Sequence, residues 1–487
     1  MRRNIFGSRM CLGILVLTLF VAIPRGWTAT VTVGSTGTYA TIADAVNDYG
    51  TWGNGSGDTI SLDSTETHTI TNKVNFTFGL SGDETFTLTS DSGAANAVIL
   101  HATSADGAMR FGTAGTWNLT NLSFIPAMGV DFNGSERGTI QLEDGLVAPN
   151  VYTLNITGCI FSANNGSNMP NLTFGAAAPT PRPGVAIYHG DGSNPSGVNL
   201  NMTDCIIAHT YYAGMRFARN PDAMGMNGNA GPVTAVFDNC LWQRTGEDSV
   251  RIRNHNPGDS YTWQNCVMLD GQNGDGIQVA QGDENRTEGQ GVFTIDNCII
   301  NQPGGNMIHF RQSFEGTIVI NDSTIYYPDN GVGVRFTELD EVSAGGVRNL
   351  TITDTIFHMG DQAIRAESLF GTAEFTSVTI SHMATPNTTP YGNDGTVDIA
   401  SIVNAINADF SGAGPLDVDP QYVSTDVALV TTADTTQNDF LDIQDTAYAT
   451  AASGGGPLEG GAQYVGAGAP TPTPTPPPSA VQNWELY

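Results

Sequence analysis

Seven polar residues recur in one local setting, each between two apolar neighbours. The triplets are Met109-Arg-Phe111, Met215-Arg-Phe217, Val250-Arg-Ile252, Ile277-Gln-Val279, Ile308-His-Phe310, Val334-Arg-Phe336 and Ile364-Arg-Ala366. Side chains alternate between the faces of a strand, so the middle residue of each triplet should face water. On stacked coils, Arg110, Arg216, Arg251, Gln278, His309, Arg335 and Arg365 would form a row spaced by about 4.8 Å. Guanidinium forks bind carboxylate or sulfate through two parallel hydrogen bonds. The row would therefore suit an acidic polymer, and Arg219, Arg253 and Arg311 would widen it. The candidate binding residues are Arg216, Arg251, Arg253, His309, Arg311 and Arg335. Like charges at this spacing repel. The competing reading is that some of the chain's 48 acids neutralise the row.

Catalysis has weaker signals, and no catalytic residue is assigned. Gly246-Glu-Asp-Ser-Val250 and Asn273-Gly-Asp-Gly-Ile277 bring Asp248 and Asp275 to the same place relative to their triplets. Glycoside hydrolysis uses such a pair, one carboxyl as acid and one as base or nucleophile, although Asp-Gly before a strand is also ordinary turn chemistry. A lyase needs a base and neutralisation of the uronate carboxyl; Arg251, Arg253, His309 and Arg311 could contribute. No cofactor is called for, although the acidic stretch Gly282-Asp-Glu-Asn-Arg-Thr-Glu288 could hold Ca²⁺ without matching a fixed ligand spacing. No metal site is assigned. Zinc sites need close cysteine pairs, and Cys159, Cys205, Cys240, Cys266 and Cys298 are far apart in sequence.

These cysteines mark the repeat that must position the row. Leu154-Asn-Ile-Thr-Gly-Cys-Ile-Phe161, Leu200-Asn-Met-Thr-Asp-Cys-Ile-Ile207, Ala235-Val-Phe-Asp-Asn-Cys-Leu-Trp242, Tyr261-Thr-Trp-Gln-Asn-Cys-Val-Met268 and Phe293-Thr-Ile-Asp-Asn-Cys-Ile-Ile300 share one phase. Ile318–Ile325 and Leu350–Phe357 keep it without cysteine, and Trp117–Phe124 fits more loosely. Alternating apolar residues predict a strand with one buried face. Asn, Asp or Gly then turns the chain, at Asn121, Gly158, Asp204, Asn239, Asn265, Asn297, Asp322 and Asp354. The pattern predicts two short parallel strands per coil, stacked as a solenoid. An all-β, right-handed parallel β-helix follows. Its exposed first edge needs a cap, which Thr41–Tyr49 can supply as a helix with Ile42, Ala45, Val46 and Tyr49 on one face and Gly50 as its stop.

Residues 1–29 read as a secretory leader, with Arg2, Arg3 and an apolar run over Met10–Ile23, cut after Ala29. Residues 30–100 form the N-terminal cap and first coils, 101–385 the β-helix repeats and 386–469 a closing region. Residues 470–487 are a Pro/Thr-rich tail that includes Thr471-Pro-Thr-Pro-Thr-Pro-Pro-Pro478. No second apolar segment suggests a membrane span. The formal charge of -30, with 18 basic against 48 acidic residues, excludes nucleic acid as a natural partner. Secretion or display at the cell surface is expected.

Thr38-Tyr-Ala-Thr-Ile-Ala-Asp-Ala-Val46, Gly57-Asp-Thr-Ile-Ser-Leu62 and Lys73-Val-Asn-Phe-Thr-Phe-Gly79 resemble the entry helix and first coils of the pectate-lyase-like right-handed β-helix superfamily. Asp419-Pro-Gln-Tyr-Val423 and Gly460-Gly-Ala-Gln-Tyr-Val-Gly-Ala467 resemble its closing segments. The resemblance covers roughly residues 30–467. It implies the fold and leaves activity open, because the superfamily includes lyases, hydrolases, esterases, phage spikes and non-catalytic surface proteins. Two classes remain. One is an exported protein that binds or processes carbohydrate as a lyase or hydrolase of acidic polysaccharide. The other is a non-catalytic surface or adhesive protein, for which the tail is mild support.

Overall fold

The computed structural model describes residues 28–459 apart from several connecting segments. The longest of these are 102–107, 126–138, 143–150, 163–186, 191–196, 219–231, 281–289, 340–345, 368–373, 412–419 and 426–440. Arg219, Gly282–Glu288, the Gly460–Ala467 finish and the Pro/Thr-rich tail lie outside the described residues.

The described strands form three sheets, of 12, 11 and 10 strands. Each strand pairs in parallel with its counterpart one coil away, and the chain is a right-handed parallel β-helix. One coil shows the plan. Val233–Asp238 lies in the 12-stranded sheet, Leu241–Gln243 in the 10-stranded sheet and Val250–Arg253 in the 11-stranded sheet. Ser260–Gln264 then starts the next coil, with Ala235 beside Tyr261, Leu241 beside Val267 and Val250 beside Ile277. A complete coil thus has three strands where the sequence pattern suggests two. The additional strand is the short piece just after the corner, often only three residues long, too short to show alternation.

The corner between the first two strands carries the register. All eight predicted turn residues have left-handed backbone angles, with φ from 43° at Asp322 to 62° at Gly158. Asn and Asp tolerate that region better than other residues with a Cβ. Their amides also join coils: Asn239 Nδ2 donates to Asp204 Oδ1 at 2.5 Å, and Asn297 Nδ2 to Asn265 Oδ1 at 2.7 Å. The next residue is the cysteine. Cys205, Cys240, Cys266 and Cys298 each turn Sγ toward a main-chain carbonyl of the previous coil, those of Ile156, Met202, Phe237 and Trp263 at 3.4–3.6 Å. Thr355 Oγ1 fills the same slot against Ile320. All five described cysteines are free and buried, so they pack the corner as small apolar side chains. Inside the tube, rings follow one another coil by coil; Tyr261 and Phe293 stack at 5.4 Å, and Phe237 and Trp263 at 5.5 Å.

Both ends of the stack are closed. Helix Ile42–Asn47 buries Ile42, Ala45 and Val46, and Thr41 Oγ1 accepts from the Asp44 amide at 3.1 Å. It ends earlier than expected, and Gly50 lies within a second helical turn, Tyr49–Trp52. At the other end, helix Ala400–Ser411 packs on the last strand of the 12-stranded sheet, Ser377–Ser381, and buries Ile402 and Ile406. Glu374 accepts the main-chain amides of Ala400 and Ser401 at its start. A later segment returns along the outside of the 10-stranded sheet. Leu441 joins Leu241, Val267, Leu269, Ile299 and Tyr326, while Ile443, Tyr448 and Leu458 cover Ile356 and Ala384. Ser453 fixes this strap by donating its amide and hydroxyl to Asp354, each at 2.6 Å.

Two outcomes follow from the corner. Burial pushes the Cys159 thiol up to about 12 and also raises Cys205 and Cys266. All five described thiols are buried, so native protein should react slowly with a thiol reagent at pH 8, and unfolded protein should expose all five. Fast native labelling, or blocked thiols in unfolded monomer, would contradict the packing. The second outcome concerns Asn265. Its replacement by Ala should cost roughly 1–2 kcal/mol through left-handed strain and the lost amide bond, whereas Gly should cost clearly less. Equal losses in denaturant melts would mean that the backbone angle does not govern the corner.

Candidate functional site

The row of polar residues is real in its register and lies on the 11-stranded sheet. Arg216 pairs with Arg251, Arg251 with Gln278, Gln278 with His309, His309 with Arg335 and Arg335 with Arg365. Arg110 belongs to the same row farther along. A second row holds Arg253 and Arg311, with Ala280 between them. The six candidate residues therefore share one sheet, with Arg253 and Arg311 two positions along the strand from the others.

Part of the row is closed off from the water that strand alternation led us to expect, and acids meet it as in the competing reading. Arg216, Arg251, Gln278 and His309 are buried, while Arg335, Arg311 and Arg365 are partly exposed and Arg253 is exposed. Acids from the adjoining turns meet the row. Arg251 Nε donates to Asp248 Oδ2, and Arg335 and Arg365 share Glu367. Arg365 also reaches Asp361 at 3.2 Å, and Arg311 reaches Glu338 at 3.4 Å. Like-charge repulsion along the stack is thereby offset within the protein.

The turn before each of these strands adds a second ladder. Ser249 N donates to Asp275 O, and Gly276 N to Asn306 O, both at 3.0 Å, so Asp248, Asp275 and Asn306 occupy successive coils. Asp248 Oδ1 accepts from the Asp275 amide at 2.8 Å. Asp275 Oδ1 accepts from the Asn306 amide and side chain, at 2.9 and 2.7 Å. Its Oδ2 accepts from Gln278 Nε2 at 3.0 Å and from His309 Nδ1 at 2.8 Å. With Nδ1 carrying the proton toward Asp275, His309 Nε2 is directed at Thr337 Oγ1, 2.8 Å away. A carboxylate, an imidazole and a hydroxyl are thus linked in series, an order that holds one imidazole tautomer in place.

The two aspartates sit in opposite electrostatic states. Burial pushes Asp248 up to about 6, helped by the neighbouring Asp275 charge and opposed by Arg251. Burial also works to raise Asp275, but the hydrogen bond and charge of His309, then Gln278 and Asn306, hold it down at about 2. One carboxyl is therefore suited to keep its proton up to about pH 6 and its neighbour to stay ionised. Divided carboxyls of this kind are what acid–base chemistry requires.

Sequence reasoning found Asp248, Asp275, His309 and the arginines. It missed Asn306, Thr337, Glu338, Asp361 and Glu367, which complete their bonding. The available signal was register: Thr337 and Glu367 flank triplets already identified, at Val334-Arg-Phe336 and Ile364-Arg-Ala366.

No family model matches the chain, and no curated protein matches it. Among solved structures, it is similar to a rhamnogalacturonan lyase, with TM-score 0.42 and 11% identity over 86% of this chain and 97% of that one. It is similar to an Azotobacter vinelandii mannuronan C-5 epimerase A-module, with TM-score 0.36 and 12% identity over 72% and 83%. A pectate lyase gives TM-score 0.37 and 10% identity over 88% and 92%. The chemistry of the site rests on this chain's own residues. Among the described residues, no helix is long and apolar enough to cross a membrane.

The aspartates predict a pH signature. The ordinary carboxyl value is 3.8 for both. Asp275 lies below it, so its stabilisation is present above pH 4 and is lost as pH falls toward about 2. Asp248 lies above it, so its contribution is present below pH 4 and is lost as pH rises through about 6. Each displacement corresponds to about 2–3 kcal/mol. Asp248→Asn should flatten the pH 4–6 limb of the stability curve, and Asp275→Asn should flatten the limb below pH 4. Unchanged limbs in thermal melts from pH 2 to 8 would contradict these assignments.

Proposed function

We propose that the protein binds and cleaves an acidic polysaccharide along the 11-stranded sheet. The observation that carries this reading is the Asp275–His309–Thr337 series beside a register-matched row of arginines. Asp275 orients the imidazole through its hydrogen bond to Nδ1. His309 Nε2, once turned from the Thr337 hydroxyl to substrate, can accept a proton in β-elimination. Arg311 and Arg335, which keep partial exposure, would neutralise uronate carboxylates as the polymer displaces Glu338 and Glu367. Arg251 holds Asp248 in place, and Asp248 is the group able to return a proton to the leaving oxygen. Exposed Arg253 extends the cationic surface, and buried Arg216 continues the row toward earlier coils. Hydrolysis would use the same Asp248 as acid. Action on such a polymer agrees with secretion or surface display.

A second reading keeps the protein as a non-catalytic surface or adhesive scaffold. Its support is the pairing of Arg251, Arg335 and Arg365 with Asp248 and Glu367 and the burial of His309. The two readings separate in function assays. Purified protein should be incubated with a panel of polyuronates while 235 nm absorbance and reducing ends are followed. The proposed function predicts a product, and His309→Ala should reduce its rate by about 10²-fold or more. Polysaccharide retention without product would support the scaffold. Neither retention nor product across the panel would overturn the carbohydrate reading.

A further inference from the structure

Asp58 is fully buried, and its carboxylate accepts four hydrogen bonds from donors at the N-terminal end of the stack. Its Oδ2 accepts from Tyr49 Oη at 2.8 Å and from the amides of Asn54 and Gly55 at 2.6 and 2.9 Å. Its Oδ1 accepts from the Ala29 amide at 2.9 Å. Among the described residues, no lysine, arginine or histidine side chain pairs with this carboxylate. A buried carboxylate with only neutral donors is costly, and an adjacent positive charge would remove much of that cost. Ala29 is already fixed at the site from its other side, because its carbonyl accepts from Thr59 N at 2.8 Å. Thr30–Val33 then continues as the first strand, paired with Asp58–Leu62.

We infer that the chain is processed between Thr28 and Ala29, and that the new Ala29 ammonium is the counter-ion of Asp58. Water adds across the Thr28–Ala29 amide. The carbonyl carbon takes the hydroxyl and becomes the carboxyl end of the released leader. The nitrogen takes the proton and gains another near neutral pH. The catalyst is a leader peptidase of the exporting cell, and no redox partner is required. The sequence agrees: a cut here places Gly26 and Thr28 at the two positions that favour small residues, whereas a cut after Ala29 places Trp27 at one of them. A cut after Ala29 would also remove both of that residue's hydrogen bonds and leave Asp58 without a cation. The nearby titratable groups are Tyr49, whose hydroxyl is raised by burial and by Asp58, and Glu84, whose carboxylate adjoins Gly55.

The full chain, leader included, should be expressed in an exporting bacterial host and the released protein sequenced from its N-terminus. The expected first residue is Ala29. A first residue of Trp27, Thr28 or Thr30, or an intact leader, overturns the inference. A second arm isolates the charge. Protein beginning at free Ala29 is compared with a version carrying Gly-Ser before Ala29, which keeps the amide hydrogen bond but moves the ammonium away. The free form should melt several degrees higher at neutral pH. That difference should disappear as pH rises well above the ordinary α-amino value of about 8, because a raised folded-state value gives stability only while the amine is protonated. Identical melting of the two forms at pH 7 overturns the ion pair even if the cut is found at Ala29.

Discussion

Each coil takes its position from the corner residue that turns the backbone into the left-handed region at the end of the 12-stranded sheet. That residue fixes where one strand stops and the next begins. The main-chain bonds of the corner then pass the register from coil to coil, as when Asn239, Asn265 and Asn297 each donate to the coil that follows, at 3.1 Å. A slip by one residue would turn apolar side chains outward and polar ones into the tube. The cost of that exchange over many coils keeps Arg251, Gln278, His309 and Arg335 in one row although long connections separate them in sequence. The site is therefore a product of the corner, and loop length has no part in setting it.

The stack also explains why the polar row is paired. Parallel coils force side chains at equivalent positions close together, so a row of cations is unfavourable unless acids enter it. Asp248 and Glu367 do so from positions close to their own triplets, while Asp275 reaches His309 across a coil. The result is a network in which most charges are satisfied internally and two carboxyls are driven apart in proton affinity. Such a network is expensive to break at any one member, because the remaining charge stays buried. The proposed chemistry draws on the same tension: a substrate carboxylate would replace one acid partner with another.

Much of this was legible in the sequence because the repeat keeps one phase. The eight turn residues, the cysteine slot and the triplets on the 11-stranded sheet all follow from Asn, Asp or Gly placed after alternating apolar residues. Other parts left no such mark. The short strands of the 10-stranded sheet, such as Leu241–Gln243, carry no readable period. The strap through Leu441, Tyr448 and Leu458 depends on an apolar outer face at Leu241, Val267 and Ile299, which looks like ordinary core in sequence. Partners of the arginines were hidden for a simpler reason. With 48 acids available, nothing in composition says which ones the turns bring inward.

The contact between Asp275 and His309 joins residues 34 apart in sequence and exists only if consecutive coils hold this register. A double-mutant cycle with Asp275→Asn and His309→Gln, read by denaturant unfolding at pH 6, tests it directly. The stacked network predicts a favourable coupling of about 1–3 kcal/mol between the two positions. Additive losses, with no coupling beyond about 0.3–0.5 kcal/mol, would contradict the register on which the site depends.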